Sequence, residues 1–254
     1  MTWVWIDSSC IDRGSSTALS EAINSMFTWY ALSEVCYAFL EDVHQHDSPH
    51  PKGSEFRKAR WHTRGWTLQE LLAPAFVVFL SMEWEPIGTK STLDLIISDF
   101  TGIHHNYLNR RWNILHASIA ERMAWAAERH TTRVEDEAYC LLGLFSIHMP
   151  TLYGEGRQAF QRLQAELVKS YPDTSLFAWG DWHGLGDATC PQLSLATIHA
   201  GFYVPSDTQR FLFATSPHQF SRSRGIRYTP SLPIGSFHQP YMPSQWTQEV
   251  CAHH

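Results

Sequence analysis

Trp66-Thr67-Leu68-Gln69-Glu70-Leu71-Leu72, followed by Pro74 and then by Phe76-Val77-Val78-Phe79-Leu80, decides the fold class. The first half reads as a short helix. Pro74 halts it, because proline cannot donate the next helical hydrogen bond. The second half is apolar at every position, the pattern of a strand buried on both faces. Toward the N-terminus, Val35 to Leu40 reads as a second strand and Trp3-Val4-Trp5-Ile6-Asp7 as another. Between those two, Leu19, Ile23, Met26, Phe27 and Tyr30 recur at helical spacing. Strand, helix and strand in this order are the signature of a parallel α/β unit. Val4, Ile6, Tyr37, Phe39, Val77 and Phe79 are expected to be mostly buried.

Toward the C-terminus, the texture becomes helical. Ser91-x-x-Asp94, Ser118-x-x-Glu121 and Thr132-x-x-Glu135 each have the form of a capping box. Leu93, Ile96, Ile97 and Phe100 mark one helical face, and Gly102 is placed to end it. Ile119, Met123 and Ala126 mark another, as do Ala138, Leu141 and Leu142. Tyr153-Gly154-Glu155-Gly156 reads as a tight turn, and Ala159, Phe160, Leu163 and Leu167 stripe the helix after it. From Tyr171, runs such as Leu176-Phe177-Ala178-Trp179 and Phe211-Leu212-Phe213-Ala214 read as short strands. The expected fold is α/β: a partial parallel sheet with flanking helices in residues 3–80 and a helical region to about 170. A small β-rich extension over 171–228 and a disordered tail over 229–254 complete it.

Composition narrows the function classes. At 254 residues, the chain fits one large domain or one domain with a smaller unit. It carries 19 Lys and Arg against 25 Asp and Glu, a net charge of −6. That balance argues against a dedicated nucleic-acid binder. No apolar run approaches the ~18 residues of a membrane span, and no secretory signal opens the chain, so a cytoplasmic location is expected. The five cysteines are odd in number and widely spaced, which disfavours a disulfide scaffold or a cysteine-rich zinc site. No phosphate-cradling glycine motif is present.

Four groups could carry chemistry. Trp66 and Glu70 are four apart and share a helix face, just before a parallel strand, where open α/β sheets bind ligands. Asp7 stands at the end of the first expected strand and points toward the same crevice. Against this, Glu70 reads equally as a solvent-facing or Arg64-paired carboxylate, and Asp7 as a loop-start residue. His44-x-His46-x-x-x-His50 has metal-ligand composition but sits among prolines in a loop, so no metal is expected. Arg129, Arg133, Glu135, Asp136 and Glu137 read as an ion-pair network around a helix start.

Several strings together resemble a known family. Trp5-Ile6-Asp7-Ser8-Ser9-Cys10-Ile11-Asp12 and Arg64-Gly65-Trp66-Thr67-Leu68-Gln69-Glu70-Leu71 are two of them. Thr131 to Gly143 and Leu152-Tyr153-Gly154-Glu155-Gly156 are others. These are similar to blocks of the fungal heterokaryon incompatibility (HET) domain, over about residues 3–180. The resemblance implies non-self recognition and programmed cell death, with homotypic or sensor-protein association. It also implies a distant likeness to Toll/interleukin-1 receptor (TIR) domains. In TIR enzymes, a Trp-x-x-x-Glu helix supplies the glutamate that cleaves NAD+. On that pattern Glu70 would be catalytic, with Trp66 and Asp7 binding NAD+ as substrate and no cofactor required. Family members open on a further strand and helix. The HET domain over residues 1–170 is thus expected to be N-terminally truncated, with an unpaired apolar sheet edge near Trp3 to Ile6 or Val35 to Leu40. A non-catalytic association module and an inactive paralogue are the alternatives.

Overall fold

The computed structural model describes residues 4–180 and 212–229. Helices α1 (Asp7–Cys10) and α2 (Ser16–Leu32) precede strand β1 (Cys36–Phe39). Helices α3 (Glu55–Lys58) and α4 (Thr67–Leu72) lead to β2 (Val77–Leu80) and β3 (Pro86–Thr89). After them come α5 (Asp94–Thr101), α6 (His105–Leu108), a 3-10 turn at Ile114–His116, α7 (Ile119–Ala126), α8 (Asp136–Tyr139), α9 (Leu142–Phe145), α10 (Gln158–Ser170) and a 3-10 turn at Thr174–Phe177. A further 3-10 turn spans Pro217–Phe220.

β1 and β2 are parallel, with Cys36 opposite Val77 and Phe39 opposite Leu80. α3 and α4 lie in the connection between them, so the parallel unit is built from the two later strands of the sequence reading. β3 pairs antiparallel on the other side of β2, which leaves β1 at an edge among the described residues. Pro86 and Gly88 hid β3 from a propensity reading, since both residues are depleted in strands. Proline is tolerated here because it opens an edge strand.

The expected strand at Trp3 to Asp7 does not form. Trp3 lies outside the described residues; Val4 and Ile6 run outside the sheet, 69% and 50% exposed. The apolar character of this segment goes into a ring contact instead. Trp5 packs edge-on against Trp29 and Tyr30, with centroids 5.3 and 5.4 Å away. Asp7 therefore opens α1 rather than ending a strand.

The burial expected for β2 holds at Val77 and Phe79, while β1 turns the opposite residues inward. Cys36 and Ala38 are buried; Tyr37 is 53% and Phe39 37% exposed. Phe39 stacks on Trp84 at 4.5 Å. Trp84 sits in the β2–β3 hairpin with a left-handed φ of 65°, a conformation costly for a bulky residue. Among the described residues no strand pairs on the outer side of β1, and Tyr37 and Phe39 leave apolar surface exposed beside it.

The Ser118 cap forms as the sequence indicates: its hydroxyl accepts from the Glu121 amide at 3.0 Å. Gly102 ends α5 in the left-handed region, with φ 72°. The other two caps do not form. The Thr92 hydroxyl engages the Thr89 amide at 2.9 Å, and α5 starts only at Asp94. Glu135 turns its carboxylate to Gly154 and Gly156, leaving α8 to begin at Asp136.

Beyond α10, the described residues pack on the same apolar core through Leu176, Ala178, Ala214 and Phe220. The Gln164 side chain pairs with both backbone groups of Ala214, at 2.8 and 2.9 Å. The strands expected here are not present among the described residues. Leu176 and Phe177 belong to a 3-10 turn, Leu212 to Ala214 are irregular, and Phe211 lies outside the described residues, as do residues 230–254. No helix among the described residues is long and apolar enough to cross a membrane. Cys36 and Cys140 are buried free thiols, and Cys10 is an exposed one.

Lys90 is 2% exposed. Its ammonium donates to the carbonyls of Leu71 at 2.9 Å and Pro74 at 2.6 Å, clamping the C-terminal end of α4. Burial lowers its pKa to about 8. Lys90→Met is expected to cost about 1–3 kcal/mol by stranding those carbonyls. Urea unfolding at pH 7 measures it; an unchanged midpoint would show that the clamp contributes nothing.

Candidate carboxylate site

An isolated helix as short as α4 is unstable in water, so its neighbours hold it. Leu68, Leu71 and Leu72 enter the core. The Gln69 amide donates to the Cys140 carbonyl at 2.7 Å. The Arg129 guanidinium donates to the Arg64 carbonyl at 2.9 Å and the Thr67 hydroxyl at 3.0 Å. Glu70 is half-buried and faces α1 and α2.

Glu70 is the meeting point of several segments. Trp61 and Tyr30 lie beside its carboxylate and favour its charged form. Asp7 lies close enough to repel it, and Arg64 close enough to attract it. Arg129 and the buried Cys36 thiol also feel its charge. Burial, followed by Asp7, raises the Glu70 pKa to about 7, against the pull of Trp61, Tyr30 and Arg64. Tyr30 is pushed up by burial and by Glu70, and Cys36 to about 12 by the same two causes.

Such a carboxyl group is divided between its acid and base forms near neutral pH. It can stabilise a neighbouring positive centre or exchange a proton. Two clefts among the described residues lie elsewhere, along the outer side of α2. Ser16, Ser20 and Asn24 line them, with residues 148–152 opposite.

The structure brings Asp7 to Glu70, as the sequence reading expects. Trp66 is engaged differently: its indole lies beside Asp136, which accepts from the Tyr153 hydroxyl at 2.8 Å. Trp61 is the indole beside Glu70. Sequence reasoning missed both Trp61 and Tyr30. Tyr30 sits on the apolar stripe of α2 and reads as core; Trp61 precedes α4, where helical spacing gives no guide.

The charged cluster near α8 works through hydrogen bonds rather than ion pairs. Glu135 accepts from the amides of Gly154 at 2.8 Å and Gly156 at 3.1 Å. The Tyr139 hydroxyl donates to Glu155 at 2.7 Å and accepts from the Leu152 amide. Arg133 lies over the Tyr153 ring at 4.5 Å. This is a lock between the 131–143 and 152–156 strings. In the histidine-rich loop, His44 pairs with Glu55 at 3.0 Å.

The arrangement defines a mixed α/β protein with a half-buried carboxylate on a short helix ahead of the sheet. Residues 158–246 match a family model described as "Domain of unknown function (DUF8212)". The chain is 46% identical over 171 residues to "Vegetative incompatibility protein HET-E-1" of Podospora anserina. That alignment takes in 65% of this chain and 12% of the relative, so the chain spans a small part of the relative's length. It is thus a relative of a fungal heterokaryon incompatibility protein. No solved structure matches.

Proposed function

We propose that this chain is a cytoplasmic vegetative incompatibility module that triggers cell death by TIR-like cleavage of NAD+ at Glu70. The observation that carries the reading is the Glu70 carboxyl group, half-buried and set among Tyr30, Trp61 and Asp7. In the ionised form it would stand against the ribose anomeric carbon. As the bond from that carbon to the nicotinamide nitrogen breaks, its electron pair leaves with nicotinamide. The carboxylate then stabilises the positive charge left on the sugar. Water adds to the anomeric carbon and releases a proton, giving ADP-ribose. Asp7 would hold a ribose hydroxyl at the rim.

The purified chain should release nicotinamide from NAD+, followed by chromatography. Glu70→Gln keeps the size of the side chain and loses its charge, so the rate should fall by about 10²–10³. A folded wild-type protein that releases no nicotinamide overturns the reading. The open β1 edge, with Tyr37, Phe39 and Trp84 exposed, favours a second reading. In it the chain is a non-catalytic module that associates with itself or with a sensor protein.

A further inference from the structure

His62 lies in a 3-10 turn over Arg60–Thr63, just ahead of α4, and is 6% exposed. Aromatic rings wall it in. Their centroids stand at 4.8 Å for Phe100 of α5, 5.1 Å for Phe56 of α3, 5.3 Å for Trp61 and 6.1 Å for Phe79 of β2. Neither ring nitrogen has a hydrogen-bond partner among the described residues. Buried polar side chains are nearly always hydrogen-bonded, so the neutral ring already sits here at some loss of stability. A proton on it would be far worse placed, since burial disfavours charge and no carboxylate among the described residues pairs with it. Arg57 of α3 lies over Phe100 at 5.9 Å and pairs with Asp99 of α5 at 2.6 Å. Glu55 of α3 pairs with His44, Arg60 of the turn with Glu41, and Asp94 of α5 accepts from Asn109. Lys58 of α3 is exposed, and β2 carries no charged residue. Arg129, beyond α7, is the charge that acts on the ring, and as a cation it opposes the proton. The Phe56 backbone favours the proton without making a hydrogen bond to the ring.

We propose that His62 is an acid-sensitive latch on the connection between β1 and α4. Neutral, the ring fills the aromatic box and keeps the connection closed. Protonated, it must reach water, and the connection opens as a unit to let it out. Both α3 and the turn are only four residues long, too short to stand alone. Such weakly supported segments open locally before the whole fold does. The opening would reach α4. The Trp61 carbonyl accepts from the hydroxyl of Thr67, the first residue of that helix. The Thr63 carbonyl accepts from the His130 amide at 2.7 Å, and the Gly65 amide donates to the His130 carbonyl at 2.9 Å. The latch does not depend on what Glu70 does. Burial, then Arg129, lowers the pKa of the closed His62 to about 3, against its ordinary 6.5. Between those values the open form binds a proton that the closed form does not. Closure is therefore at full strength above 6.5 and weakens as pH falls toward 3. From pH 7.5 to pH 4.5, the ratio of open to closed should rise about 10²-fold.

The experiment compares hydrogen–deuterium exchange of the full wild-type chain and His62→Phe, read by mass spectrometry at pH 7.5 and pH 4.5. Phenylalanine suits a box of aromatic rings and cannot take a proton. His62→Leu, also without charge, makes the same comparison where the larger ring prevents folding. Intrinsic exchange rates cancel between the two proteins at a given pH, except beside the substitution. For residues 55–66 and α4, the wild-type-to-variant rate ratio should be about 10²-fold higher at pH 4.5 than at pH 7.5. For α7 and α10 the ratio should be the same at both. A ratio in residues 55–66 that does not change with pH overturns the proposal, because His62 then senses no proton. A ratio that rises equally in α7 and α10 also overturns it, because acid then loosens the whole fold rather than one connection. Far-UV circular dichroism accompanies each measurement, and a wild type already unfolded at pH 4.5 counts as that second outcome.

Discussion

Gly143→Ala is expected to destabilise the protein by about 3 kcal/mol, the upper end of the range for overpacking a core. A Cβ built on Gly143 would lie 2.1 Å from the Phe27 Cβ and 2.7 Å from its Cγ. Those atoms sit against the backbone of α2, so no rotamer change relieves the clash. Either α2 or α9 must move, and the two helices pack directly on each other at this point. The damage would spread, because Tyr30 lies one turn beyond Phe27 on the same helix. Gly65→Ala offers a control. Its nearest obstacle is the Thr131 Cγ2 at 2.5 Å, the tip of a side chain that can turn aside at lower cost. Urea unfolding of both variants measures the difference. If Gly143→Ala unfolds within 1 kcal/mol of wild type, about the uncertainty of such comparisons, the close helix contact is not as described.

Glycine at 143 is also an example of what a sequence does not disclose. Nothing in the string Leu141-Leu142-Gly143-Leu144-Phe145 says that a phenylalanine more than a hundred residues earlier presses on it. The helix at Ile119 to Ala126 was legible because its cap and its apolar face are encoded locally. So was the pairing of Val77 and Phe79 with the core. The Trp3 to Asp7 segment failed because apolar composition alone does not distinguish a buried strand from residues that lodge a ring on a neighbouring helix. Thr132 failed as a cap because the Glu135 carboxylate has other partners, the backbone amides of Gly154 and Gly156, and Ser91 failed because α5 starts only at Asp94, with Leu93 before it. At the candidate site, the helix that carries Glu70 was legible, whereas Asp7 was placed at the end of a strand that does not form. Tyr30 and Trp61 were not, since their contacts with Glu70 depend on how α2 and the turn before α4 pack.

Glu70→Gln should make the protein more stable at neutral and alkaline pH while lowering its activity. The carboxyl group titrates at about 7 in the folded protein, against an ordinary value of 4.5, mainly because burial and Asp7 disfavour the charged form. Between those two values the folded state binds more protons than the unfolded chain, so stability falls as pH rises. The stabilisation is full below about 4.5, and it is lost as pH passes through about 7. Raising a pKa by one corresponds to about 1.4 kcal/mol, so the loss is on the order of 3–4 kcal/mol. Glutamine carries no charge at any pH and escapes it. The variant and wild type should therefore unfold at similar urea concentrations near pH 4.5. They should separate through pH 7, with the variant the more stable of the two, and stay apart above it. A group that costs stability in the state needed at neutral pH is one expected of a working site rather than of a structural one. If the two proteins keep the same urea midpoint from pH 4.5 to pH 8, Glu70 is not titrating in the environment described. A variant less stable than wild type at pH 8 would show instead that the carboxylate anchors Tyr30 and Trp61, and that Glu70 is part of the scaffold.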